Sequence, residues 1–100
     1  MLERAGISGG IVGHAGDGNL HADLMFDAER MDEVAAVEKV VDLLIGDALA
    51  RGGTVTGEHG VGIGKRSALA REHGDLLELY AGIKRLFDPN GIMNPGKVLL

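Results

Sequence analysis

Cysteine is absent from the hundred residues, so no disulfide can form and no thiolate can bind a metal. Any cation must be held by His, Asp or Glu. Basic charge is also short: 10 Lys and Arg face 15 Asp and Glu, a formal net charge of −5. Such a surface repels phosphate, which argues against a nucleic-acid binder. Only two Pro accompany 17 Gly, with no three-residue period, so the glycine content is not collagen-like. No window approaches 18 uninterrupted apolar residues, which excludes a transmembrane helix. The opening stretch from Met1 to Gly6 has no charged region followed by an apolar run, so no targeting address is expected in the chain as written. Internal repeats and low-complexity tracts are missing too.

What is present describes a chain that collapses in water: 45% apolar residues and a mean hydropathy of +0.10, enough for one domain at most. Glycine is concentrated rather than scattered. Six lie between Gly6 and Gly18 and six more between Gly52 and Gly64. His14 and His59 fall inside these windows and His21 just beyond the first. Glycine weakens helices and strands but lets backbone approach a ligand closely, so two such windows point to a site built from loops.

Between the windows the pattern is conventional. Ile7 to Val12 and Leu20 to Phe26 read as two strands flanking Gly13 to Asn19. From Glu29 to Arg51, Met31, Val34, Ala35, Val37, Val41, Leu44, Ile45 and Ala48 recur at spacings of three and four, predicting a helix stopped by Gly52-Gly53. Thr54-Val55-Thr56 is β-prone. Helices are expected over Lys65 to Glu72 and Asp75 to Phe87, with Asp75 as N-cap and Glu78 completing a capping box. His73, next to Gly74, reads as a cation capping a helix end. Asp88-Pro89-Asn90-Gly91 and Asn94-Pro95-Gly96 read as turns.

Chemistry concentrates in two stretches. In Gly13-His14-Ala15-Gly16-Asp17-Gly18-Asn19-Leu20-His21, a glycine turn separates two imidazoles that can face one cation as neutral nitrogen ligands. Gly57-Glu58-His59-Gly60 can supply a third ligand, and two His with one carboxylate leave coordination positions open for catalysis. The alternative is that His14 and His21 hydrogen-bond backbone in a tight turn, with Asp17 making an Asx-turn. Other glycine motifs fail. Gly60 to Lys65 lacks the Gly and the hydroxyl that a phosphate loop needs at His59 and Arg66. No dinucleotide fingerprint or calcium loop is complete. Lys65 and Arg66 read as a solvated pair, with an anion site near a helix start as the alternative.

Together, the stretches at 13 to 21, 52 to 62 (Gly-Gly-Thr-Val-Thr-Gly-Glu-His-Gly-Val-Gly) and 87 to 98 (Phe-Asp-Pro-Asn-Gly-Ile-Met-Asn-Pro-Gly-Lys-Val) resemble the C-terminal part of FAD-linked 2-hydroxy-acid oxidoreductases. This family includes D-lactate dehydrogenases and the glycolate oxidase FAD subunit. The resemblance implies an α+β fold: the C-terminal portion of an antiparallel-sheet cap domain with flanking helices. Residues 1–64 would carry the glycine and histidine loops, and 65–100 a helical tail returning toward the flavin domain. It further implies His59 as catalytic base and His14, His21 and Glu58 as ligands of a divalent metal such as zinc. Asn19 and Asn94 would lie near flavin or substrate. The substrate would be a small 2-hydroxy acid, and the partner an FAD-binding domain or subunit that holds the cofactor. The compartment is left open, with a cytoplasmic or membrane-peripheral location expected ahead of secretion.

One departure is Asp23, where some members carry Asn two residues after the second motif histidine; a carboxylate there repels an anionic substrate. The basic residues expected to clamp the substrate carboxylate are also absent, so the isolated chain is expected neither to hold FAD tightly nor to turn over. The competing reading is a non-catalytic metal-binding or oligomerising α+β module. A third, a domain whose glycines serve only turns, leaves the clustering of His and Glu58 unexplained. Either way a cap cut from its other half exposes a sheet edge or face, so self-association is expected, with Met25, Phe26, Leu99 and Leu100 at the interface.

Overall fold

The computed structural model describes residues 6–99, which form a two-stranded antiparallel sheet, three α-helices and two short 3-10 turns. The α+β architecture expected from the sequence is therefore present. The chain divides into two compact units, Met1–Gly53 and Thr54–Leu100.

The first unit begins with a hairpin. Strand β1 (Ser8–His14) pairs with β2 (Asn19–Met25) in a register running from Ser8 opposite Met25 to His14 opposite Asn19. A 3-10 turn over Ala15–Asp17 connects them and is closed by Gly18, left-handed at φ 72, whose N–H donates to the Ala15 carbonyl at 3.1 Å. Gly13 fixes the register sterically. A Cβ added there would sit 2.3 Å from the Asn19 carbonyl oxygen, so the strands close only because that atom is missing.

Helix α1 (Met31–Ala50) follows, and its entry is organised by two carboxylates. Asp27 Oδ1 accepts the Glu29 N–H at 2.9 Å, and Glu33 Oε2 accepts the Asp27 N–H at 2.8 Å. The helix ends where the sequence predicts: the N–H groups of Gly52 and Gly53 return to the carbonyls of Leu49 and Ala48. Its Val37 and Val40 bury against Ile7, with Leu24 and Ala36 packed around them; Val40 is 2% exposed. Each such side chain contributes about 1.5–3 kcal/mol of burial free energy. Only Leu24 of the hairpin belongs to this cluster, while Ile11, Leu20 and Met25 stay exposed.

The second unit opens with a loop rather than a strand. Among the described residues Thr54 to Thr56 has no ladder partner; the Val55 N–H donates to the Glu72 carboxylate instead. Helix α2 (Arg66–His73) buries Ala68 and Leu69, and a 3-10 turn (Gly74–Leu76) leads into α3 (Leu77–Phe87). The expected capping box does not form. Asp75 lies inside the 3-10 turn, and Leu76 is the N-cap without a side-chain bond, because the chain continues directly from α2 and no extended residue separates the elements. His73 lies in the last turn of α2, the end where the dipole favours a cation, and in addition its Nε2 lies 3.2 Å from Glu72 Oε1 and its ring meets Tyr80 edge-on.

After α3 both expected turns are present, with Gly91 N–H donating to Asp88 O and Lys97 N–H to Asn94 O. Leu79, Ile83, Leu86 and Phe87 of α3 remain exposed. Leu100 lies outside the described residues. Among those described, no helix is long and apolar enough to cross a membrane.

Candidate functional site

The hairpin register decides which side chains share a face. Pairing of Val12 with His21 and His14 with Asn19 puts His14, Asn19 and His21 on one side of the ribbon, with Ile11, Leu20 and Leu24 on the other. His14 and His21 are diagonal cross-strand neighbours, a relation that spans about 7–8 Å between backbones and lies within reach of two imidazoles converging on one ion. The 3-10 turn is closed by the Gly18 N–H to Ala15 carbonyl bond, and His14 at its N-cap makes no side-chain cap bond. Asp23, opposite Gly10, falls on the same face as the histidines. His14 is exposed, and Asn19 and His21 are half-buried.

In the second unit Glu58 and His59 occupy the tip of the loop that precedes α2. Their side chains are 46% and 71% exposed, and His59 Nε2 lies 3.7 Å from Glu58 Oε1. Three contacts shape the loop around them. At its start Glu72 accepts the Val55 N–H at 3.0 Å. Burial pushes the Glu72 carboxyl up, but bonds from the Val55 N–H, the Thr54 hydroxyl and His73 outweigh it and hold the group below the usual carboxylate range. Across the tip the Thr56 hydroxyl donates to the Gly60 carbonyl at 2.9 Å, closing a ring around Gly57-Glu58-His59. At its end Arg66 Nε donates to the Ile63 carbonyl at 3.2 Å.

The tail joins the same loop. Arg66 Nη1 donates to the Gly96 carbonyl at 3.2 Å, and the Val98 N–H donates to the Gly62 carbonyl at 2.7 Å. Asn94 and Val98 both hold left-handed backbone, at φ 45 and φ 67, which costs about 1–3 kcal/mol each and persists only where neighbours over-determine it. Upstream, the buried Asp88 supplies that constraint. Its carboxylate accepts the N–H groups of Ile92 and Met93 at 3.0 and 2.9 Å and pairs with Lys84, whose Nζ also donates to the Met93 carbonyl. The Lys84 ammonium, helped by those N–H groups against the cost of burial, holds the Asp88 carboxyl below its usual range.

Exposed Asn94 is thus presented between a carboxylate-bound turn and a tail tied to the Glu58-His59 loop. Thr56, Arg66, Glu72, Lys84 and Asp88 carry this architecture, and sequence pattern alone marked none of them for this bracing role. Arg66 in particular is not the solvated half of a Lys-Arg pair; it is half-buried and binds two carbonyls. Only Asp88, opening a strong turn, gave a local signal.

A family model described as FAD linked oxidases, C-terminal domain, matches residues 1–98. Over 94 residues, 93% of this chain, the sequence is 49% identical to a protein of Danio rerio named probable D-lactate dehydrogenase, mitochondrial. It is 43% identical over 90 residues to D-lactate dehydrogenase [cytochrome], mitochondrial, of Arabidopsis thaliana, covering 89% of the chain. With glycolate oxidase subunit GlcD of Escherichia coli K12 it shares 38% identity over 87 residues, 86% of the chain. The matches take up 19%, 16% and 17% of those three relatives, so the chain spans less than a fifth of their length.

Proposed function

The chain belongs to the family of FAD-linked oxidase C-terminal domains, and on that premise we propose that it supplies the proton-accepting part of an FAD-dependent 2-hydroxy-acid dehydrogenase. The observation that carries the reading is the braced loop that presents Glu58 and His59 beside the tail bearing Asn94. Substrates would be small 2-hydroxy acids such as D-lactate or glycolate, because relatives named for both match most of this chain.

Oxidation of a 2-hydroxy acid removes a proton from the hydroxyl and a hydride from C2, leaving the 2-oxo acid. His59 Nε2 or Nδ1 accepts the hydroxyl proton, a transfer that contributes about 10²–10⁴-fold in such reactions. FAD, held largely by a partner domain or subunit, supplies the acceptor for the hydride and its electron pair. The residues fit a contact with it at Asn94 and Asn19, whose amides offer both a donor and an acceptor. A divalent cation such as zinc would supply positive charge that acidifies the hydroxyl. The donor set fits that ion, since His14 and His21 share one face of the hairpin and Glu58 adds a carboxylate, all without thiolate. His14, His21 and Glu58 would hold it, and Glu58 would also keep the adjacent loop oriented. The apolar side chains left exposed on α3 and the hairpin suit a covering partner, with the FAD-binding part as the occupant.

The test is anaerobic mixing of the FAD-bound assembly with D-lactate and with glycolate, monitored by flavin absorbance. Bleaching with release of the 2-oxo acid is expected for at least one. A flavin that stays oxidised with a panel of 2-hydroxy acids, yet is reduced by dithionite, would overturn the reading.

A further inference from the structure

We propose that Arg66 is a positioning residue for the oxidation, its guanidinium fastening the Asn94 tail to the loop that carries Glu58 and His59. The inference deepens the functional reading above and rests on it.

Arg66 begins α2, so its Cα is fixed by the helix whose Glu72 anchors the other end of the same loop. Its fork reaches two main-chain carbonyls 33 residues apart in sequence, Nε to Ile63 and Nη1 to Gly96, both at 3.2 Å. A planar guanidinium offers separate donors in a fixed geometry, whereas an ammonium on a flexible stem is a point charge. Beside it the Val98 N–H donates to the Gly62 carbonyl at 2.7 Å. These bonds converge where the tail is conformationally costly. Gly96 lies between two non-glycine residues in left-handed backbone, Asn94 and Val98, and the second is β-branched, for which positive φ is unusual. Backbone held in such states requires external fastening, and strain of this kind concentrates where geometry matters for function.

The Asp88 and Lys84 cluster braces the tail from its upstream side, so Arg66 is not needed to form the Asp-Pro-Asn-Gly turn. Its distinct contribution is the link between tail and loop. Asn94, placed at the flavin, and His59, placed at the substrate hydroxyl, then stand in one frame set by Arg66. A displacement of about 1 Å between reacting groups can cost about 100-fold in rate.

Arg66→Ala and Arg66→Lys would be compared with wild type and with His59→Ala in the FAD-bound assembly. FAD content and thermal midpoint are measured first, then flavin reduction across substrate concentration. Arg66→Ala is expected to retain FAD and to reduce it roughly 10- to 100-fold more slowly at saturating substrate, with little change in the concentration giving half-maximal rate. The bound flavin spectrum should shift, Arg66→Lys should recover part of the rate, and added guanidinium ion should rescue Arg66→Ala but not His59→Ala. Wild-type reduction and spectrum in Arg66→Ala, while His59→Ala is slow, would overturn this inference alone. A loss matching only the loss of folded, FAD-bound protein, without guanidinium rescue, would also overturn it. Wild-type rates in both alanine variants would overturn the functional reading beneath it.

Discussion

Adding one methyl group at Gly13 should undo the hairpin, whereas the same change three residues earlier should not. At Gly13 the new Cβ would meet the Asn19 carbonyl oxygen at 2.3 Å and the Leu20 Cα at 3.0 Å, both backbone atoms that cannot rotate away. The φ of 150 adds strain for an L side chain. Overpacking and backbone strain each cost about 1–3 kcal/mol, so Gly13→Ala should destabilise the hairpin by about 2–6 kcal/mol. Gly10 has open space around its Cβ direction and no positive φ. Gly10→Ala should therefore lie within about 0.5 kcal/mol of wild type. Amide exchange of the β1 and β2 ladder reads the difference directly, since each 1.4 kcal/mol is about tenfold in opening. Ladder protection should vanish in Gly13→Ala and survive in Gly10→Ala, while α3 is unaffected in both. Equal protection in the two variants would refute the steric account of the register, and with it the shared face of His14 and His21.

Glu72 carries a pH prediction. Its folded pKa lies below the ordinary glutamate value, so its stabilising contribution is present above that value and is lost as pH falls through the folded pKa. Glu72→Gln should flatten the acid limb of the unfolding curve below about pH 4.3, and an unchanged limb would count against the Val55 and Thr54 bonds. For the metal, elemental analysis of the FAD-bound assembly should find near-stoichiometric divalent cation in wild type and little in His14→Ala or Glu58→Ala. Undiminished metal in both would remove these residues from the ligand set.

Local chemistry made part of this legible. The hairpin could be read because strand-like segments flank a glycine turn, and α1 because its apolar spacing ends at Gly52-Gly53. The glycine windows marked both loops that carry His and Glu58. What could not be read depends on distant partners. Thr54 to Thr56 looks β-prone, yet the bond that settles Val55 comes from Glu72, 17 residues on. Arg66 looks solvated, yet one of its carbonyls lies 30 residues away at Gly96. Asp75 and Glu78 spell a capping box, but a continuous turn from α2 leaves no N-terminus for it to cap.

The central claim is that His59 takes the substrate hydroxyl proton. Stopped-flow reduction of the FAD-bound assembly by its 2-hydroxy acid, comparing wild type with His59→Ala at equal FAD content, addresses it most directly. The account predicts a fall of about 10²–10⁴-fold in the reduction rate, with partial recovery on adding imidazole. Reduction at the wild-type rate in His59→Ala would contradict it.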